Sequence, residues 1–424
     1  MAVITPERSA DVRNPLAELA SLASTAGAVV VDGLIQRRTR IDSATYIGKG
    51  KVAELRERAD ASDANLVIFD NDLTPAQIRE LEEATGRKVL DRSELILDIF
   101  AARARTHEAR LQVELAQLQY TAPRLRGMWT HLERIAGAGG GTGAGNVGGI
   151  GTRGPGERQI EVDRRIVADR VAFLRRQIDE IDQRKTREVL SRYDEFQIAL
   201  VGYTNSGKST LMNALTGAGQ LAEDKLFATL DTKTVRWRLG EGRAALLSDT
   251  VGFVRDLPHR LVASFRATLE ETIHANLLLH VVDASAPNAS AQIESVLKVL
   301  AELGCGDIPK LTVFNKMDVA EDVSIVQVLE QQHEPSVRIS AKSGEGLDGL
   351  VAAVTAVMAG SDVDATLRAP IADGRLLATI EQRAQVRERR FDGEFVELDV
   401  RINRTHLDQM RGRHPGMIVV QSTN

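Results

Sequence analysis

Ile198-Ala199-Leu200-Val201-Gly202-Tyr203-Thr204-Asn205-Ser206-Gly207-Lys208-Ser209-Thr210, running on into Leu211-Met212-Asn213-Ala214-Leu215, sets the architecture of the chain. The first four residues are an apolar run of strand type, and the last five open a helical pattern. Between them stands Gly-x-x-x-x-Gly-Lys-Ser. Glycines let the backbone turn so that successive N–H groups point inward and cradle phosphate oxygens. The following helix N-terminus adds its partial positive charge at the same place. Lys208 can reach the β- and γ-phosphates, and the Ser209 hydroxyl can hold Mg²⁺. The plain alternative is a glycine-rich turn with a chance Lys-Ser. The strand–loop–helix context favours phosphate binding but does not name the nucleotide.

Outward from this loop, residues 196–360 read as one nucleotide-binding domain. Thr234–Leu239 and Ala244–Leu247 are strand-like, and Asp249-Thr250-Val251-Gly252 follows the second. A carboxylate there can hold Mg²⁺ through water, and the Gly252 N–H can reach a γ-phosphate. Leu277–Asp283 and Leu311–Phe314 are buried-type strands. The latter ends in Asn315-Lys316-Met317-Asp318. Asp318 can accept from N1–H and the exocyclic amine of guanine, whereas adenine N1 is itself an acceptor. Lys316 can lie along the base, and Asn315 can tie this loop to the phosphate loop. Val337-Arg338-Ile339 leads to Ser340-Ala341-Lys342, where the Ala341 N–H suits guanine O6. Each string occurs by chance. Four in order, each after an expected strand, specify a GTPase, because ligands in open α/β sheets bind at the strands' carboxyl edge.

The 424 residues allow two to four domains, and 43% hydrophobic with 27% charged residues is ordinary for a globular protein. A net charge of −5 argues against coating nucleic acid through overall charge. The lone Cys305 leaves no internal disulfide and suits a reducing compartment. Met1–Ala10 lacks the apolar core of a signal peptide, and no run reaches membrane-spanning length. The expectation is a soluble, cytoplasmic protein, monomeric when free.

Residues 1–25, with Pro6 and Pro15, read as a mobile lead-in. An α/β rhythm follows over 26–91. Ala28–Val31, Leu66–Asp70 and Lys88–Leu90 are expected strands, and Lys51–Leu55 and Pro75–Thr85 expected helices, giving a small parallel sheet. Gly48-Lys49-Gly50-Lys51 could bind an anion at a helix start or be a basic surface turn. Over 92–195 the pattern is helical. Leu111, Leu115 and Leu118 share one face. Ile160, Val167, Val171, Leu174, Ile178 and Ile181 form a heptad seam, so two helices should pair as an antiparallel hairpin. Its tip, 123–159, carries Gly139-Gly140-Gly141, Arg124, Arg126, Arg134, Arg153 and Arg158, with Trp129 and His131 as stacking planes. Residues 92–192 hold seventeen arginines and one lysine against thirteen acids, in a chain whose total is negative. Arginine, glycine and rings fit RNA. A flexible linker with solvated arginines fits equally. Ser361–Pro370 reads as a linker. Residues 365–424 read as a small α+β appendage with an alternating strand Phe395–Ile402 after an arginine-rich segment.

These residues resemble the HflX family of ribosome-associated GTPases. The likeness rests on Gly202–Thr210, Phe227-Ala228-Thr229-Leu230-Asp231, Asp249-Thr250-Val251-Gly252-Phe253, Tyr46-Ile47-Gly48-Lys49-Gly50-Lys51 and Gly149–Glu157, and spans about residues 30–360. It implies an N-terminal α/β domain with a long helical hairpin, a P-loop GTPase domain and, in part of the family, the C-terminal appendage. It also implies binding to the large ribosomal subunit and its RNA, through the 123–159 loop, and the splitting of stalled or idle ribosomes. By position, Phe227–Asp231 becomes part of the nucleotide site. Thr229 becomes the switch threonine that closes on Mg²⁺ beside Ser209 and Asp249. Lys208, Thr229 and Gly252 become the residues that act on the γ-phosphate. The chain departs from the family at Thr232, where proline is usual, at Arg158, where threonine is usual, and in a longer glycine loop. Phe253 stands where related GTPases often carry a water-orienting glutamine, so slow unassisted hydrolysis is expected. The rival function is a GTP-dependent switch module acting on a protein or membrane partner.

Overall fold

The computed structural model describes residues 1–5, 14–122, 159–191, 195–217, 227, 232–240, 243–255, 271–360, 362–403, 407, 410–411 and 416–423. The N-terminal part contains β1 (Ala2–Ile4), α1 (Ala17–Thr25), β2 (Ile35–Arg37), α2 (Lys49–Ala61), β3 (Leu66–Ile68), α3 (Pro75–Thr85) and β4 (Lys88–Leu90). β1 pairs in parallel with β2, and β3 with β4. Met1 joins the two ribbons: its amine donates to the Ile68 carbonyl at 2.7 Å, and its carbonyl accepts from Asp70 N at 2.9 Å. α3 starts and stops where its sequence says. Thr74 and Gln77 form a reciprocal capping box before Pro75, and Gly86 ends the helix at φ +66°.

Two expectations fail here. The described parts of residues 1–25 are structural: β1 takes a ladder position, and α1 buries Leu19, Leu22 and Ala23. Ala28–Val31 forms no strand. Val29 is 86% exposed, and the ladder place beside β1 goes to Ile35–Arg37. Four apolar residues make a buried strand only where both pleated faces are covered, and among the described residues Val29, Val30 and Val31 all stay exposed.

The helical stretch after Arg92 divides into α4 (Arg92–Arg103) and α5 (His107–Thr121). Ala104 turns to extended backbone, and the Thr106 hydroxyl accepts from Ala109 N to start the second helix. The long α6 (Gln159–Ser191) returns alongside α5. Leu111, Leu115 and Leu118 pack with Val167, Leu174 and Ile178, while Val171 and Ile181 lie at the edge of the seam. Arg170 grips Glu114 across the pair with bonds of 2.7 and 2.9 Å. The Ile160 side chain lies outside the described residues. So do the tip residues 123–158, among them Arg124, Arg126, Trp129, His131, Arg134, Arg153 and Arg158.

Next come β5 (Phe196–Gly202), α7 (Lys208–Thr216), β6 (Lys233–Gly240), β7 (Arg243–Asp249), β8 (Leu277–Asp283), α8 (Ala289–Glu302), β9 (Lys310–Asn315), α9 (Val323–Gln332), β10 (Ser336–Arg338) and α10 (Leu347–Gly360). The sheet order is β10-β9-β8-β5-β7-β6, parallel except for β6. β5 is buried on both faces, as a central parallel strand must be. Ile198 and Leu200 face Leu211, Trp237 and Leu350, while Ala199 and Val201 face Val296 and Leu300. The second core continues without a break into Leu22 of α1, Ile96 and Phe100 of α4, and Phe227, Val251 and Phe253 beside the phosphate loop. Helices of the N-terminal part thus share a core with the nucleotide-binding sheet.

The chain closes with β11 (Asp362–Pro370), α11 (Gly374–Arg383), β12 (Ala384–Asp392), β13 (Phe395–Asn403) and β14 (Ile418–Thr423), an antiparallel sheet of order β12-β13-β11-β14. The expected linker is therefore a central strand. Val363, Ala365, Leu367 and Ala369 alternate into its core. Small alanines and the closing proline hid a regular two-residue period, and Pro370 sits at the strand end, where a proline is tolerated.

Candidate nucleotide site

The loop between β5 and α7 owes its path to two glycines. Gly202 has φ +152° and Gly207 φ +92°; a Cβ on the first would strike the Val281 carbonyl, and on the second the Asn315 amide. Asn205 sits at φ +61°, a conformation asparagine tolerates better than most residues. Within the loop, the Thr204 and Ser206 hydroxyls are buried without a hydrogen-bond partner among the described residues. Buried polar atoms normally have one, so these two mark a cradle that suits phosphate oxygens. Thr210 lies in the first turn of α7.

Lys208 is only 6% exposed, and its amine donates to the carbonyls of Gly202 at 3.1 Å and Tyr203 at 3.0 Å. Burial lowers its pKa to about 8, with the Asp249 charge acting in the opposite direction. Ser209 Oγ donates to Asp249 Oδ2 at 2.6 Å, and Asp249 is fully buried. Thr250 Oγ1 ties its strand end to Leu200 O at 2.6 Å. Beyond it the chain runs along the phosphate loop: Phe253 N donates to Gly202 O at 3.1 Å, and Thr204 N to Phe253 O at 2.7 Å. A Cβ on Gly252 would come within 2.8 Å of the Thr204 methyl and 3.1 Å of Lys208 Nζ, so only hydrogen fits there. Phe253 is buried, as is Phe227, which meets Phe100 edge-on at 4.5 Å. Ala228, Thr229, Leu230 and Asp231 lie outside the described residues.

The base-facing loops converge on Asn315. Its Nδ2 donates to Ser206 O at 2.9 Å, tying it to the phosphate loop. Its Oδ1 accepts from Ala341 N at 2.9 Å. The Ala341 N–H, expected to suit guanine O6, thus also braces this loop against Asn315. Lys316, at φ +64°, pairs with Asp283 at 2.8 Å, a partner at the end of β8 that sequence reading missed. Met317 N donates to Ile339 O at 3.2 Å. The exposed Asp318 accepts from Ser340 Oγ at 2.7 Å, which orients the carboxylate at the mouth of the site. Lys342 is exposed beside them. All these groups stand past the carboxyl ends of β5, β7, β8, β9 and β10, where the fold rule puts a ligand.

The residues present fit a magnesium nucleotide. Ser209 and Asp249 offer hard oxygen donors, and Mg²⁺ needs only one or two from protein because phosphates and water supply the rest. Among the described residues no group of three His, Cys, Asp or Glu could hold a metal by itself.

The lowered Lys208 value has a signed consequence. The folded value, about 8, lies below the ordinary 10.5, so folding favours the neutral amine and stability rises with pH between those values. A bound polyphosphate favours the ammonium. Nucleotide binding at about pH 8.5 should therefore take up roughly three quarters of a proton, and Lys208→Met should abolish the uptake. Calorimetry in buffers of different ionisation enthalpy reads this directly.

A phosphate cradle on a parallel sheet, with an aspartate at the neighbouring strand end and an Asn-Lys-Met-Asp loop opposite, defines a P-loop GTPase. Residues 13–101, 103–192, 197–316 and 325–421 match in turn family models described as GTP-binding GTPase N-terminal, GTP-binding GTPase Middle Region, 50S ribosome-binding GTPase and HflX C-terminal domain. GTPase HflX of Lacrimispora saccharolytica is 48% identical over 345 residues, covering 80% of this chain and 78% of the relative. GTPase HflX of Caldanaerobacter subterraneus subsp. tengcongensis is 41% identical over 413 residues, covering 97% and 92%. That of Escherichia coli is 40% identical over 407 residues, covering 95% and 93%. The chain belongs to the HflX family and is a GTPase.

Proposed function

We propose that the protein uses GTP to associate with the large ribosomal subunit and to split stalled or idle ribosomes. The match of residues 197–316 to a family described as a 50S ribosome-binding GTPase carries this reading. In it, the N-terminal unit and its hairpin, the GTPase unit and the C-terminal unit act as one machine. The arginine-rich 123–159 loop meets ribosomal RNA. The site is cytoplasmic in this reading, and among the described residues no helix is long and apolar enough to cross a membrane.

At the nucleotide, the loop Gly202–Thr210 holds the phosphates and Asp318 reads guanine. Lys316 flanks the base, while Asn315, Met317, Ser340, Ala341 and Lys342 shape its pocket. Ser209, Asp249 and Thr229 would hold Mg²⁺, which when bound would neutralise charge developing on the phosphate oxygens. Lys208 supplies positive charge to the β- and γ-phosphates. Gly252 offers its N–H to the γ-phosphate, and Thr229 of the Phe227–Asp231 stretch acts beside it. No protein nucleophile is needed, because phosphoryl transfer to water requires positioning and electrostatic stabilisation. The buried Phe253 ring can neither donate to nor accept from the attacking water. Free protein should then turn over at roughly 10⁻⁴–10⁻² s⁻¹, with ribosomes raising the rate.

Co-sedimentation with ribosomal subunits in GTP, GDP and no nucleotide, alongside turnover with and without ribosomes, tests this. The expected result is retention on the large subunit with the triphosphate and faster hydrolysis there. Nucleotide-dependent capture elsewhere, with turnover indifferent to ribosomes, would make the protein a switch module for another partner.

A further inference from the structure

The segment after β7 is held from two sides. On one, Phe253 forms two backbone bonds with the phosphate loop. On the other, Arg255 enters a closed ring of side chains from the N-terminal part. Arg255 Nη2 donates to Asp70 Oδ2 at 2.9 Å. Asp70 Oδ1 accepts from Arg92 Nη1 at 2.6 Å. Arg92 Nη2 donates to Glu18 and, at 3.1 Å, to the carbonyl of Arg255. Tyr203, inside the phosphate loop, bonds to Glu18 and accepts from Arg255 N at 2.7 Å. Burial and the Glu18 charge push the Tyr203 hydroxyl up, so it remains a donor.

Two carboxylates and two guanidiniums balance in charge. Arg92 and Asp70 are 2% and 3% exposed, and Arg255 is 27% exposed. A buried ionic ring of this kind is poor evidence of a stability device, since well-packed apolar side chains would serve as well. It does fix direction. Arg255 is anchored through backbone N–H, backbone carbonyl and guanidinium at once, by Tyr203 of the phosphate loop, Arg92 of α4 and Asp70 just past β3, with Glu18 of α1 holding Arg92 and Tyr203 in turn. Three residues earlier, Gly252 lies against Thr204 and Lys208, where a γ-phosphate distinguishes GTP from GDP.

We propose that Glu18, Asp70, Arg92 and Arg255 are positioning residues that preset Gly252 for the γ-phosphate and couple triphosphate binding to docking of the N-terminal helices. The proposal rests on the nucleotide reading above. Preset geometry strengthens only those contacts the triphosphate makes and the diphosphate lacks. Coupling between two binding events is reciprocal, so the triphosphate must also tighten α1 and α4 against the GTPase domain.

The test is equilibrium binding of GDP and of a non-hydrolysable GTP analogue to the full chain and to Arg255→Met. Arg255→Met is preferred because Asp70→Asn strands a buried guanidinium and can fail to fold. The expected result is a loss of about tenfold or more in triphosphate affinity, within the usual span of coupling energies, with GDP affinity held within about twofold. Hydrogen exchange should show α1 and α4 better protected with the analogue than with GDP in the wild type, and equally protected in the variant. Equal changes for both nucleotides, no change, or tighter triphosphate binding would overturn the proposal. Wild-type protein that binds neither nucleotide would instead overturn the reading on which it rests.

Discussion

Asp318→Asn should turn the base preference from guanine to xanthine. A carboxylate accepts from guanine N1–H and from its exocyclic amine. The amide that replaces it still accepts from N1–H, but it presents an NH₂ to the second position, where xanthine carries a carbonyl. A hydrogen bond to a charged group is worth about 1.5–3 kcal/mol and a neutral one about 1 kcal/mol, so inverting one bond and neutralising the other should cost roughly 10²–10³-fold in GTP affinity. The Ser340 hydroxyl, which now donates to Asp318 Oδ1 at 2.7 Å, can still donate to the asparagine oxygen, so the side chain keeps its orientation. The brace from Asn315 to Ser206 and Ala341 does not involve residue 318 and should survive. Competition between GTP and xanthosine triphosphate for the variant reads the outcome. Native GTP affinity with no gain for the xanthine nucleotide would mean that the base binds elsewhere.

Much of this site is local in sequence. A phosphate loop is legible because one segment of strand, glycines, lysine and helix contains its whole geometry. The Thr74–Gln77 capping box, Pro75 and Gly86 likewise bound α3 by residues within or next to it. Legibility ends where the structure depends on distant partners. Val29–Val31 has the composition of a strand, but only the pairing of β1 with Ile35–Arg37 shows that the ladder is already taken. β11 was hidden because Ala365 and Ala369 bury too little surface to signal a core face, although Val363 and Leu367 share it. The ring around Arg255 joins residues 185 positions apart through Asp70, and 74 apart through Glu18 and Arg92. No spacing rule finds such a pair. Ala341 shows the same limit at short range: its bond to Asn315, 26 positions away, follows no spacing rule.

The largest loss should follow deletion of residues 137–156 from the hairpin tip. In the proposed function the 123–159 loop is the RNA-facing part, carrying arginines and glycines in a chain of net charge −5. If Arg124, Arg126, Arg153 and Arg158 neutralise four phosphates, log K for the large subunit should fall by about 0.7–0.9 per contact for each tenfold rise in salt. Raising salt from about 50 to 200 mM would then weaken binding on the order of a hundredfold, and each arginine removed should lower the slope by about 1. The deletion leaves the α5–α6 seam of Leu111, Leu115, Leu118, Val167, Leu174 and Ile178 untouched, so the hairpin retains its packing. It also leaves the phosphate loop and the Asn315 brace alone, and GTP binding should be unchanged. Subunit binding and ribosome-stimulated hydrolysis should both disappear. The paired readout separates a contact from a fold defect, because a damaged GTPase domain would lose nucleotide as well. A deletion variant that still binds subunits at native affinity, with the same salt slope, would show that Arg153 is solvated and that the glycine loop only joins two helices; Arg124, Arg126 and Arg158, outside the deletion, are tested by the single substitutions.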